Sequence, residues 1–267
     1  MTGLFEGQSA IVLGASAEGG SGWAIAEAFA AQGARVAVGA RRIEPLERLA
    51  SKIGGVAVRC DAGQPADIAA LFKTATERLG RPSIAVNAAA IPTYGLIADS
   101  ASLDLQRALD VNYVGNVHFI RHATQAMSQD GSILLISSAS AEQPLLPAFP
   151  YACSKAAMDC LVRYAAIEYG PRNIRVNSML PGPIKTEMAA RIYAKPGAEA
   201  ARAKEIALGR VASPEDIAEA AVALVSARYV TGVNLAVSGG MHLTRPARAD
   251  EIASFAKTDP AGGGSAS

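Results

Sequence analysis

Tyr151 and Lys155 stand four residues apart in Tyr151-Ala152-Cys153-Ser154-Lys155. On a helix that spacing puts both side chains on one face, within reach of one site. A phenol titrates near 10 and is a poor proton shuttle at neutral pH. An ammonium beside it stabilises the phenolate and pulls the phenol's pKa down, which makes the pair fit for acid–base work. Ser138, thirteen residues upstream, can hold a substrate oxygen beside the Tyr151 hydroxyl. Asn112 falls inside a long helical stretch, where its propensity is poor, so a bend or a bound water is expected there. Tyr-x-x-x-Lys alone arises often by chance; the four residues together are far more specific.

Other reactive side chains carry weaker signals. His118 and His122 are four apart, a metal-ligand spacing, but no third ligand accompanies them, so packing or surface roles are expected. Three cysteines, an odd number without CxxC spacing, argue against a disulfide framework and a zinc site. Buried structural thiols in a reducing cytoplasm are the expectation, with Cys153 in the core or at an interface.

These residues must be positioned by elements that alternate along the chain. Strands are expected at Ser9–Leu13, Arg35–Val38, Val56–Arg59, Ser83–Val86, Ser132–Ile136, Asn173–Met179 and Val233–Val237. Helices are expected at Trp23–Gln32, Pro45–Ile53, Pro65–Leu79, Leu103–Met127, Tyr151–Tyr169 and Pro214–Ser226. The strands are continuously apolar, as in a sheet covered on both faces. Repeated strand–helix–strand units predict an α/β fold: one Rossmann-type, doubly wound parallel sheet of about seven strands with helices on both faces. The 267 residues show no composition break, so one domain over residues 1–245 is expected, with a C-terminal extension over 246–267. Pro260–Ser267 is rich in Gly, Ser and Ala and is expected to be disordered.

Half of the residues are hydrophobic, which excludes wholesale disorder. The net charge of +1 gives no electrostatic footprint for nucleic acid or for an anionic membrane. No apolar run reaches the about 18 residues of a membrane span, and Met1–Gln8 lacks the marks of a leader, so a cytoplasmic protein is expected.

The first strand runs into Gly14-Ala15-Ser16-Ala17-Glu18-Gly19-Gly20-Ser21-Gly22-Trp23. Glycines there let backbone approach a pyrophosphate, and the next helix offers unpaired N–H groups to phosphates. Phosphate contacts are expected from Gly14, Ser16, Gly20, Ser21, Gly22 and Trp23. The second strand ends at Ala40-Arg41-Arg42, where an NAD site normally carries Asp or Glu. A guanidinium suits the 2′-phosphate of NADP, so NADPH/NADP+ is expected over NADH/NAD+, with Arg41 the stronger contact because it comes first.

The turn and the Ser138/Tyr151/Lys155 set resemble the short-chain dehydrogenase/reductase family, over roughly Leu4 to Gly240. The turn is two residues longer than the family's usual one and is similar to that of its enoyl-reductase branch. That branch places its Tyr where this chain has Ala148, which cannot donate a proton; the active site therefore resembles an ordinary carbonyl reductase. The resemblance implies hydride transfer between NADPH and a ketone or aldehyde, with Tyr151 giving the proton. It implies that Lys155 binds the nicotinamide ribose, that Asn112 holds a water relaying protons to Lys155, and that Asp61 and Asn87 line the adenosine side. Pro181, Gly182, Ile184 and Thr186 match the segment that closes over the nicotinamide.

Substrate contacts are expected from Ser140, Leu145 and Phe149 before Tyr151, and from Met188 and Ile192 in a lid near residues 186–210. Their apolar character suggests a hydrophobic rather than a phosphorylated ketone. The resemblance also implies a homotetramer, or a dimer, in which the helices carrying Asn112 and Tyr151 pair with their copies; Ala156, Ala157, Ala165 and Ala166 would permit close approach. Two alternatives stay open: reduction of an activated C=C bond, and a non-catalytic dinucleotide-binding scaffold.

Overall fold

The computed structural model describes residues 3–186, 189–248 and 250–252, with residues 191 and 192 by backbone alone. Met188, the side chain of Ile192 and the tail Pro260–Ser267 fall outside the described residues.

Seven strands pair in one parallel sheet: β1 (Ser9–Leu13), β2 (Arg35–Ala40), β3 (Val56–Arg59), β4 (Ile84–Asn87), β5 (Ser132–Ile136), β6 (Arg175–Pro181) and β7 (Asn234–Val237). The order is β3-β2-β1-β4-β5-β6-β7. β1 pairs with β2 through Leu13 and Gly39, and with β4 through Leu13 and Asn87. The chain thus reverses direction across the sheet between β1 and β4, the switch point where open α/β sheets bind ligands.

Helices cover both faces: α1 (Ser21–Ala31), α2 (Ile43–Ile53) and α9 (Pro214–Ser226) on one, α3 (Pro65–Leu79), α5 (Gly115–Ala126) and α6 (Phe149–Tyr169) on the other. Strand alternation divides the apolar side chains between them. From β1, Ala10 and Val12 enter the first core while Ile11 and Leu13 enter the second. In the first core α1 packs on α9 through small residues such as Ala24, Ala218 and Ala221. In the second, Phe72 and Phe119 meet edge to face at 5.1 Å. Each such buried aromatic contributes about 1.5–3 kcal/mol.

The expected long helix over Leu103–Met127 is present but not uniform. It consists of α4 (Ser102–Leu109), a π turn at Asp110–Val114, and α5. The π turn is the bend that Asn112 led one to expect. Two short helices, α7 (Ala190–Tyr193) and α8 (Ala198–Ala203), lie in the segment after β6.

Candidate active site

Tyr151 directly follows Pro150 as the third residue of α6, and Lys155 follows one turn on. The Lys155 ammonium lies 5.7 Å over the Tyr151 ring and donates to the Ile136 carbonyl at 2.7 Å. Ile136 ends β5, so the strand's last carbonyl fixes the lysine. Two residues later Ser138 caps a 3-10 turn over Ala139–Ala141. Its Oγ accepts from the Ser140 amide at 3.2 Å and from the Ser140 hydroxyl at 2.9 Å.

Burial governs the titration of this group. Lys155, only 1% exposed, is pushed down to about 8 by burial, with Asp159 pulling it back up. Tyr151 is pushed up to about 12 by burial, with Ser138 pulling it down. A depressed phenol was expected from the sequence. For the protein chain by itself the direction is the reverse, because desolvation outweighs the hydrogen bond from Ser138, and Tyr94 and Asp159 add to the rise.

Asp159, one turn beyond Lys155, was not singled out in the sequence. Its buried carboxylate accepts from Ser137 Oγ at 2.9 Å and Ser178 Oγ at 3.0 Å. Burial raises its pKa, while the two hydroxyls and Lys155 lower it. The i+4 spacing from Lys155 was the available signal.

Asn112 is fully buried in the π turn. Its Oδ1 accepts from the Ile91 amide at 3.0 Å, and its Nδ2 donates to the Ile91 carbonyl at 3.1 Å and to Ser154 Oγ at 3.0 Å. Ser154 Oγ in turn donates to the Tyr151 carbonyl at 2.7 Å. The asparagine side chain therefore ties the segment after β4 to α6 and makes no direct bond to Lys155.

A cavity of about 570 Å³ opens at the ends of β1 to β4. Gly14, Ser16, Ala17, Arg41, Arg42 and Asp61 line it, together with Ala88–Ala90. At Gly14 φ is +91°, and a Cβ would lie 2.4 Å from the Ala89 amide nitrogen. A Cβ on Gly22 would lie 2.4 Å from the Gly14 carbonyl oxygen. The turn can come this close to α1 and β4 only as glycine. The cradle and its cationic rim fit a dinucleotide. Arg42, rather than Arg41, reaches across the mouth, donating to the Ser16 carbonyl at 3.1 Å. Asp61 accepts from the Gly63 amide at 2.9 Å, which turns it toward the cavity it lines.

A smaller cavity of about 180 Å³ adjoins Ser138. Ser140 and Leu145, two of the expected substrate contacts, line it with Pro181, Gly182 and Ile184 of the segment expected to close over the nicotinamide, and Tyr193, Arg202, Met241 and Ala247 complete its wall. Tyr193 and Arg202 come from the expected lid segment, whereas Met241 and Ala247 were missed because they lie far along the chain, beyond β7. Gln143 holds the closing segment by donating to the His242 carbonyl at 3.2 Å. Phe149 begins α6 but is not among the lining residues, and Thr186 is half-buried beside the segment.

A family profile described as Enoyl-(Acyl carrier protein) reductase matches residues 14–242. The chain is 35% identical over 249 residues to 3beta-hydroxysteroid dehydrogenase 1 of Eggerthella lenta, covering 89% of this chain and 95% of that one. The chain belongs to the short-chain dehydrogenase/reductase family. It is also 34% identical to the 3-oxoacyl-[acyl-carrier-protein] reductase of Bos taurus, over 84% of this chain and 94% of that one. Among solved structures, a short-chain dehydrogenase/reductase from Serratia marcescens superposes with a TM-score of 0.82 at 33% identity, covering 89% and 99% of the two chains.

As an oxidoreductase of this short-chain dehydrogenase/reductase family, the chain takes a nicotinamide dinucleotide as cofactor. Five expected cofactor contacts have other surroundings. The Trp23 indole is buried in the first core and donates to Glu27 Oε1 at 2.8 Å, because α1 turns that face toward the sheet. Asn87 donates to Asn116 Oδ1 at 2.9 Å and accepts from the Ala89 amide at 3.0 Å, so it braces β4 against α5. Gly20, Ser21 and Gly22 form the start of α1 and do not line the large cavity.

The remaining reactive residues fall out as follows. His122 stacks on Phe72, and no metal-binding cluster exists among the described residues. Cys60 is buried, as expected for a structural thiol, and burial pushes it up to about 12. Cys153 and Cys160 are exposed on α6, against the expectation of buried thiols; they lie on the side away from Lys155. No described helix is long and apolar enough to cross a membrane.

Proposed function

We propose that this protein is an NADP-dependent reductase of ketones or aldehydes, running in reverse as an alcohol dehydrogenase. The placement of the Lys155 ammonium over the Tyr151 ring, beside Ser138 at the wall of the small cavity, carries the reading. Bound, the nicotinamide supplies the hydride that adds to the carbonyl carbon. Ser138 receives two bonds from Ser140, which leaves its own hydrogen to donate to the substrate oxygen. Tyr151, held protonated by burial, gives its proton to that oxygen as the alkoxide forms. Lys155 then faces a phenolate, which its charge stabilises.

NADP is supported by Ala40 standing where a carboxylate would repel the 2′-phosphate, and by Arg41 and Arg42 at the cavity rim. The small, mostly apolar substrate cavity supports a compact hydrophobic carbonyl compound. Exposed Tyr164 and Ile167 on α6, and Leu109 and Val114 near the π turn, support pairing of these helices in a cytoplasmic homotetramer or dimer. Reduction of an activated C=C bond is the second reading, favoured by the family description and the long glycine turn. Against it, Ala148 offers no proton where that chemistry would need one.

The test is NADPH consumption with ketones, enones and acyl thioesters, repeated with NADH. Tyr151→Phe should lose about 10²–10⁴-fold in turnover while still binding nucleotide. Near-wild-type turnover in that variant removes the proposal, and a saturated ketone formed from an enone establishes the second reading.

A further inference from the structure

Among the described residues no anion meets Arg202, which stands in the wall of the small cavity. Its guanidinium is half-buried; Nη1 donates to the Ala198 carbonyl at 2.8 Å, and Cζ lies 5.5 Å from the centre of the Tyr193 ring. Neither partner carries negative charge. The carboxylates nearby in sequence are engaged elsewhere: Glu199 with Lys185 at 2.6 Å, and Glu205 with Arg245 at 3.2 Å. Burial pushes the Arg202 pKa down, with the Tyr193 phenol the one group pulling it back. A cation held in a largely apolar wall is costly unless something negative meets it. Packing alone would be served by an uncharged side chain. A guanidinium adds a rigid fork of donors matched to a carboxylate.

We infer that Arg202 anchors the carboxylate of the substrate, so that the preferred substrates are compact oxo-carboxylates whose carbonyl reaches Ser138 and Tyr151. This rests on the carbonyl-reductase reading and adds a charge requirement to it. The apolar lining from Leu145, Ile184 and Met241 then holds the carbon chain between the two polar ends. The cavity's size sets the spacing, so only some chain lengths will bridge it.

The probes are 3-oxobutanoate, 4-oxopentanoate and 5-oxohexanoate, each beside its methyl ester, with the full chain and NADPH. The wild type should favour at least one acid over its ester by about 10- to 100-fold in kcat/KM, the range for one charge-assisted contact. Arg202→Met should bring that ratio near one, mainly by raising KM for the acid, and leave the ester within about twofold. Arg202→Lys should fall between. Esters used as well as acids at every length, or equal losses on acid and ester in Arg202→Met, would overturn the anchor and make Arg202 a packing partner of Tyr193. Calorimetry on the nucleotide-loaded Tyr151→Phe protein reads the same acid–ester preference without turnover. Acid binding that disappears with Arg202, in a protein that reduces none of the probes, would sink the reductase reading and keep the anchor. Absence of acid binding would sink the anchor.

Discussion

Asp159→Asn removes one buried charge a helical turn from Lys155 while keeping the side chain's shape. The Cβ atoms of residues one turn apart are about 5–6 Å from each other, and that spacing is taken for the two charges. At an effective dielectric of about 20 their attraction is about 3 kcal/mol. The two serine hydroxyls on the carboxylate disperse its charge, so about half of that to all of it is lost on substitution. One pH unit corresponds to about 1.4 kcal/mol, so Lys155 should titrate about one to two pH units lower. The groups facing this pair are the Tyr151 ring and the Ile136 carbonyl around Lys155, Ser137, Ser178 and Glu142 around Asp159, and Tyr94 beyond Tyr151. The asparagine keeps an acceptor for one of the serines. The sign follows from which form works. Activity needs the ammonium, present below its pKa and lost as pH rises through it. The wild type should therefore lose kcat above about pH 8, since burial has brought Lys155 down to about 8. The variant should begin to lose it near pH 6 to 7, with similar kcat at pH 5.5. The assay is kcat for carbonyl reduction from pH 5.5 to 9.5 at saturating nucleotide, with circular dichroism to confirm folding. An alkaline limb that stays in place, or moves upward, would refute the role given to Asp159.

Arg41→Ala and Arg42→Ala should each raise KM for NADPH by about 10- to 100-fold with little effect on NADH, measured by initial rates with both nucleotides. Arg42→Ala should show the larger effect, because this side chain crosses the cavity mouth to Ser16. Gly22→Ala pushes a methyl carbon against the Gly14 carbonyl, so α1 must shift. A thermal melt should show a loss of about 1–3 kcal/mol, and calorimetry should show weakened nucleotide binding. Unchanged nucleotide affinity would mean that this close approach does not shape the cradle.

Local signals were read well from the sequence. The β-branched runs marked all seven strands, and the boundaries of β1, β5 and α9 match those expected. Tyr151 and Lys155 were legible because one helix carries both, and Ser138 because it ends a strand. What was illegible depends on which face an element turns inward. Trp23 follows the glycine turn in sequence, yet the phase of α1 sends its indole into the core. Asn87 was expected to hold neighbouring strands as well as to wall the adenosine, but nothing in the chain announces that Asn116, 29 residues away, is the partner it braces against. Met241 and Ala247 reach the substrate cavity only because β7 brings the segment after it to the same end of the sheet as the expected lid. Tyr151's pKa could not be judged from its neighbours in sequence, since burial decides it.

The π turn at Asp110–Val114 has a consequence for how this helix tolerates change. A surplus residue in a turn advances the downstream stripe by about 100° relative to an unbroken α-helix. Ahead of it, α4 buries only Ala108; behind it, α5 buries Asn116, Phe119, Ile120 and Ala123. The turn is thus a phase slip that brings the second half into register with the sheet. Deleting a single residue from it would relax the helix and rotate Phe119 toward water, so the stretch accepts substitutions far more readily than changes of length.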